Sequence, residues 1–75
     1  MVDTAAGHEP VALAKVLLEA GARILQLRLK DVSSRDFLAA ARAIVAMCRE
    51  RGALMIVNDR VDIAKLSGAD GVHVG

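Results

Sequence analysis

The chain has 75 residues, 55% hydrophobic and 25% charged, with a net charge of +1. That near-neutral balance excludes a broad electrostatic surface for nucleic acid or anionic membrane. Phe37 is the sole aromatic residue, which also excludes a stacking platform for bases.

No apolar stretch approaches the length of a bilayer span, and no basic segment followed by an apolar core and cleavage site opens the chain. Cys48 stands alone and cannot form an internal disulfide. A cytoplasmic, reducing setting is therefore expected, with Cys48 as a small apolar filler on a helix face. A domain of this size buries only ~60–65% of its unfolded surface. The composition is nevertheless that of an α/β core covered on both faces, so part of a larger domain is expected.

In chain order, Met1-Val2-Asp3-Thr4 reads as the stub of a strand, and His8 falls in an N-terminal loop with no assigned role. Pro10 sits near the start of a first helix, where its missing N–H is harmless. Ala20-Gly21-Ala22 then leads into the apolar run Ile24-Leu25-Gln26-Leu27. A second helix begins after Ser33-Ser34 and carries Phe37, Leu38, Ala41, Ile44, Val45 and Cys48 on one stripe. Arg51-Gly52-Ala53 leads into Leu54-Met55-Ile56-Val57, a short third helix runs from about Val61 to Leu66, and Ser67-Gly68-Ala69 leads into Gly71-Val72-His73-Val74. Each glycine lies just past a helix end, the position of the common left-handed cap. Short apolar strands alternating with helices indicate parallel βα units. Such sheets are covered on both faces or closed into barrels. A closed eight-fold barrel needs at least ~200 residues.

Polar residues gather at the carboxyl ends of two strands, where parallel α/β folds bind ligands. The first group is Gln26, Arg28 and Lys30; alternation puts them on one face, with Leu25, Leu27 and Leu29 on the other. The second is Asn58-Asp59-Arg60. Parallel neighbours lie ~4.8 Å apart, so the two groups could meet around one ligand. Arg28 can grip phosphate oxygens bidentately and Lys30 can neutralise them as a point charge. Asn58 can donate to a phosphate oxygen, and Asp59 is a hard oxygen ligand suited to Mg²⁺ bridging carboxylate and phosphate. A diphosphate with Mg²⁺ fits this set better than a monophosphate; the competing reading is structural ion pairing, for instance Arg28 with Asp59.

The remaining candidates favour structural roles. Asp62 opens a helix and suits its dipole. Asp70 precedes a strand, at the end away from the ligand, as a turn or cap residue. His73 could face the site, but a hydrogen-bonded core histidine is preferred. No zinc spacing and no nucleophile–base pair is present, and Gly71-Val72-His73-Val74-Gly75 lacks the dinucleotide-binding glycine pattern.

Gly21-Ala22, Gln26-Leu27-Arg28-Leu29-Lys30-Asp31, Ile56-Val57-Asn58-Asp59-Arg60-Val61-Asp62-Ile63-Ala64 and Gly68-Ala69-Asp70-Gly71-Val72-His73-Val74-Gly75 together resemble the thiamine-phosphate synthase family. The resemblance covers nearly the whole chain and implies an incomplete TIM (β/α)8 barrel, from the end of strand 1 through strand 4, with three helices and a parallel sheet. It implies a transferase that joins hydroxymethylpyrimidine diphosphate to thiazole phosphate and releases diphosphate. In that family the bond to diphosphate breaks first, and the thiazole nitrogen captures the resulting pyrimidine-stabilised cation. By this resemblance Gln26, Leu27, Arg28, Leu29, Lys30 and Asn58 would bind the pyrimidine diphosphate, and Asp59 would ligate Mg²⁺. The family's second Mg²⁺ ligand and its later serine, threonine and lysine positions fall beyond Gly75, so the chain alone is expected to be inactive. Two alternatives stand beside this reading. TenI-like thiazole tautomerases share the barrel but often lack the Asp59 carboxylate. A non-catalytic, self-associating βα fragment would exploit open sheet edges and an uncovered apolar face.

Overall fold

A computed structural model describes Val2, Asp3 and residues 9–75; the expectation for His8 lies outside them. The elements follow the order β1 (Val2–Asp3), α1 (Pro10–Glu19), β2 (Ile24–Arg28), α2 (Ser34–Arg51), β3 (Leu54–Asn58), α3 (Val61–Ser67) and β4 (Gly71–His73). The four strands form one parallel sheet in the order β1-β2-β3-β4. Each helix returns the chain to the start of the next strand, as parallel pairing requires.

The helix boundaries have local causes. Pro10 occupies the first turn of α1, and the Glu9 carboxylate accepts from the N–H groups of Val11 and Ala12 at 3.0 and 2.8 Å. Ser33 caps α2 by accepting from the Asp36 N–H at 3.1 Å. Gly21, Gly52 and Gly68 all take positive φ, at 99°, 68° and 78°, as expected of glycines that end helices.

Alternation along the strands separates the two faces of the sheet. Leu25, Leu27, Met55 and Val57 point to the helices and are buried with Ala14, Leu18, Phe37, Ala41, Ile44, Val45, Cys48 and Ile63. Five of the six positions expected on the α2 stripe are buried, and Leu38 packs at its edge. Full burial of each large aliphatic side chain contributes about 1.5–3 kcal/mol. Cys48 is buried within this cluster as expected, and burial pushes its thiol pKa upward, with a smaller contribution from the Asp70 charge.

The other face carries Ile24, Gln26 and Arg28 from β2, Leu54, Ile56 and Asn58 from β3, and Gly71 and His73 from β4. Ile24 is 58% and Leu54 50% exposed, so among the described residues the helical layer covers one face only. The expectation of a doubly covered core is thus met on the helical side alone. Among the described residues no helix is long and apolar enough to cross a membrane.

At the amino end of the sheet, Asp70 joins β3 to β4. Its carboxylate accepts from the Met55 N–H at 2.8 Å, while its own N–H donates to the Met55 carbonyl at 2.8 Å. The structural role expected of Asp70 is the one observed.

Candidate active site

The carboxyl ends of β2, β3 and β4 meet at Asn58. Gln26 Nε2 donates to Asn58 Oδ1 at 3.2 Å, and His73 Nδ1 lies 3.3 Å from the same oxygen. Asn58 Nδ2 in turn donates to Asp59 Oδ2 at 2.9 Å. One amide side chain therefore links three strands and orients a carboxylate. Arg28, Asn58, Asp59, His73 and Gly75 line a shallow open cleft of about 250 Å³. Deeper along the same face, Ile24, Gln26, Ile56 and His73 line a more apolar cleft of about 380 Å³. A comparable cleft of about 400 Å³ lies on the helical side between α1 and α2. Its walls are aliphatic apart from the Glu9 and Asp36 carboxylates, a lining that repels anions.

Asp59 is held in an unusual backbone state. Its φ is 66°, and Asp31 after β2 is the other described non-glycine residue with positive φ, at 58°. A left-handed residue with a side chain costs roughly 1–2 kcal/mol, least for Asp and Asn because their short side chains bond locally. Asp59 does so through Asn58. The Arg60 N–H donates to the Asn58 carbonyl at 2.9 Å across a three-residue turn, and the Asp59 N–H donates to the His73 carbonyl at 2.7 Å. Three-residue turns with positive φ at the centre are rare and strained, and strain of this kind gathers at functional sites. The Gly75 N–H, 3.4 Å from Asp59 Oδ1, adds a long bond from beyond β4.

Arg60 leaves the cluster in which the sequence groups it. Its Nε and Nη2 donate to Asp62 Oδ1 and Oδ2 at 3.0 and 2.9 Å, and Nη2 also donates to Ser34 Oγ at 2.9 Å. The guanidinium carbon lies 5.8 Å from the centroid of the Phe37 ring, within cation–π range. The Arg60 hydrogen bonds hold the Asp62 carboxyl pKa at about 2, down from 3.8, and the Ile63 N–H adds to the effect. Asp62 thus stands in the first turn of α3 as expected, with an ion pair to Arg60 in addition.

Two side chains lie differently from their expectations. His73 is exposed on the cleft face and bonded to Asn58; β4 register sets it opposite Asn58, and among the described residues no layer covers that face. Among the described residues it lines the cleft, hydrogen-bonded as expected but not buried. Leu27 belongs to the helical core with no side-chain exposure, because period-two alternation turns it away from Gln26 and Arg28. Its side chain cannot touch a ligand in the cleft. Gln26 and Arg28 share the cleft face as expected. The strand ends at Arg28, so strand alternation does not fix Lys30, which is exposed two residues further on. Leu29 packs partly against the core and lines the helical-side cleft. Among the described residues no group of three or more His, Cys, Asp or Glu side chains could hold a metal ion. The donor set here is one carboxylate, which suits a hard cation whose remaining ligands are water and phosphate oxygens.

Residues 1–75 match the family model described as thiamine monophosphate synthase. A thiamine-phosphate synthase of Caldivirga maquilingensis is 58% identical over 87% of this chain and 32% of its own length. One from Chlorobium phaeovibrioides is 53% identical over 88% of this chain, again across 32% of its own length. Among solved structures, the thiamine phosphate pyrophosphorylase of Pyrococcus furiosus superposes with a TM-score of 0.88 at 33% identity, covering 93% of this chain and 35% of that one. The chain therefore spans about a third of the length of these relatives, and its four parallel strands and three helices are a partial (β/α)8 barrel. On the family match across all 75 residues, the chain belongs to the thiamine monophosphate synthase family.

Proposed function

We propose that the cleft is the diphosphate-binding part of a thiamine-phosphate synthase active site, acting on hydroxymethylpyrimidine diphosphate with thiazole phosphate as the second substrate. The observation that carries this reading is the convergence of Arg28, Asn58, Asp59 and His73 on one cleft at the strand carboxyl ends. Arg28 supplies a planar fork for phosphate oxygens, and Lys30, close beyond the strand, supplies a second positive charge. Asn58 donates and accepts at once, which fixes the Asp59 carboxylate relative to β2 and β4. Asp59 would hold Mg²⁺, and the ion would neutralise a departing diphosphate when bound. The apolar cleft beside it, with one amide from Gln26, suits the edge and faces of a heteroaromatic ring. Leu27 and Leu29 would contribute main chain to this site. A tautomerase of the same barrel has no use for the Asp59 carboxylate, and the care with which Asn58 orients that group favours the synthase. A soluble, cytoplasmic setting accords with this chemistry.

Binding of Mn²⁺ in the presence of inorganic diphosphate tests the reading, by calorimetric titration of the full chain. The expected result is binding that needs both components and weakens by about tenfold or more in Asp59→Asn, since a hard cation loses its protein carboxylate. Equal binding by wild type and Asp59→Asn would remove Asp59 from the site.

A second property follows from the exposed Ile24 and Leu54 on the uncovered face. In a complete barrel this face turns inward; on the 75-residue chain alone it would favour self-association. Sedimentation velocity should report dimers or larger species that revert toward monomer in Ile24→Lys; a monomeric wild-type chain would end this reading.

A further inference from the structure

Asp59 is left-handed, yet its turn is closed on the cleft side by only a few bonds. Those are the Arg60 N–H to the Asn58 carbonyl, the Asp59 N–H to the His73 carbonyl, the side-chain bond from Asn58 and the long Gly75 N–H bond to Asp59 Oδ1. Of these, the Arg60 N–H bond alone ties residue 60 to the turn. Further restraint on residue 60 comes from the helical side, where its carbonyl accepts from the Ala64 N–H at 3.0 Å in α3 and its side chain is anchored. The Arg60 side chain runs to the helical layer and is held there by three groups from two helices. Asp62, in the first turn of α3, takes two parallel hydrogen bonds; Ser34, in the first turn of α2, takes a third; and Phe37, one turn further along α2 and buried, lies beneath the guanidinium. Only a planar fork with several N–H donors can satisfy that arrangement, which a lysine cannot reproduce.

We propose that Arg60 is the positioning residue for Asp59: anchored by Asp62, Ser34 and Phe37, it holds the Asn58–Asp59–Arg60 turn in its left-handed form and keeps the Asp59 carboxylate aimed into the cleft. The Arg60 side chain touches no ligand and acts from behind. The inference rests on the reading of Asp59 as a cation ligand, and it assigns to α2 and α3 a task in the site besides packing. A site residue on a loop is only as well placed as the groups that support it.

The test uses the 75-residue chain and two independent readouts. The first is the intraresidue HN–Hα nuclear Overhauser effect of Asp59, which is strong for positive φ and weak for negative φ. The second is the Mn²⁺ midpoint in the presence of inorganic diphosphate, followed by paramagnetic broadening of the Asn58, Asp59 and His73 amides. Arg60→Ala and Arg60→Lys should both lose the strong Asp59 signal and weaken Mn²⁺ binding by about tenfold to a hundredfold, the usual range for groups that orient a metal ligand. Asp62→Asn, which loosens one anchor and leaves Arg60 in place, should show a smaller loss in both readouts and keeps the test valid if Arg60→Ala fails to fold. Asp59→Asn should lose Mn²⁺ and keep the strong signal. Wild-type Asp59 without that signal, or Arg60→Lys matching wild type in both readouts, would overturn the proposal. If wild type shows the signal and binds no Mn²⁺, the metal reading fails while the signal in the Arg60 variants still decides the positioning role.

Discussion

At the amino end of the sheet the left-handed backbone falls on Gly21, Gly52 and Gly68; at the carboxyl end it falls on Asp31 and Asp59. The geometric demand is the same at both ends. Glycine meets it without a Cβ penalty, and it does so where helices α1, α2 and α3 hand over to the next strand. The aspartates meet it at some energetic cost, toward or below the low end of roughly 1–2 kcal/mol, where strands hand over to the cleft. The difference separates two tasks. One end turns the chain as cheaply as possible, and the other tolerates strain in order to hold a side chain in a set direction. A second pair of residues makes the same point. Asp70 and Asp59 both accept backbone or amide hydrogens, yet Asp70 joins β3 to β4 at the amino end while Asp59 faces the open cleft.

The sharpest way to break this comparison is at Asp70. Asp70→Ala leaves the Met55 N–H, within a fully buried residue, without its acceptor. An unmet buried donor costs about 1–3 kcal/mol. Urea denaturation should show a loss in that range, while Mn²⁺–diphosphate binding measured well below the transition stays within twofold of wild type. A binding loss as large as that of Asp59→Asn would mean that the two ends are not separable.

Much of the amino end was legible in the sequence, and less of the carboxyl end. The Gly21, Gly52 and Gly68 caps, the Ser33 cap and the α2 stripe are set by residues within a turn or two of one another, so local pattern suffices. Gln26 and Arg28 could be assigned to one face because alternation is a property of the strand itself. The exposure of His73 could not, since it depends on whether anything covers the face opposite the helices. Periodicity distinguishes two faces of a strand but does not say which is covered. Arg60 shows the same limit from another direction. Its neighbours Asn58 and Asp59 suggest a ligand group, but its partner Ser34 lies 26 residues away, a separation that local sequence does not encode. The left-handed state of Asp59 had one weak signal, an Asn-Asp pair directly after an apolar strand, because those residue types tolerate positive φ.

The smallest and most diagnostic effect comes from exchanging the two solutions. Gly52 has φ 68° and Asp59 has φ 66°, so the backbone demand is matched to within 2°. A Cβ added at Gly52 would meet nothing within 4 Å, so Gly52→Ala isolates the conformational penalty, and a loss of about 1 kcal/mol is expected. Asp59→Gly runs the other way. Relief of about 1 kcal/mol of strain is offset by about 0.5–1 kcal/mol of extra unfolded-state freedom for glycine and by loss of the Asn58 bond to the carboxylate, so stability should fall by less than about 1 kcal/mol. The same variant should lose the Mn²⁺–diphosphate response altogether, since its carboxylate is gone. Asp59→Gly thus abolishes binding with little change in stability, while Gly52→Ala changes stability alone. If Asp59→Gly instead destabilised the chain as much as Gly52→Ala does, the carboxylate would be serving the fold, and the division between the two ends of the sheet would have to be given up.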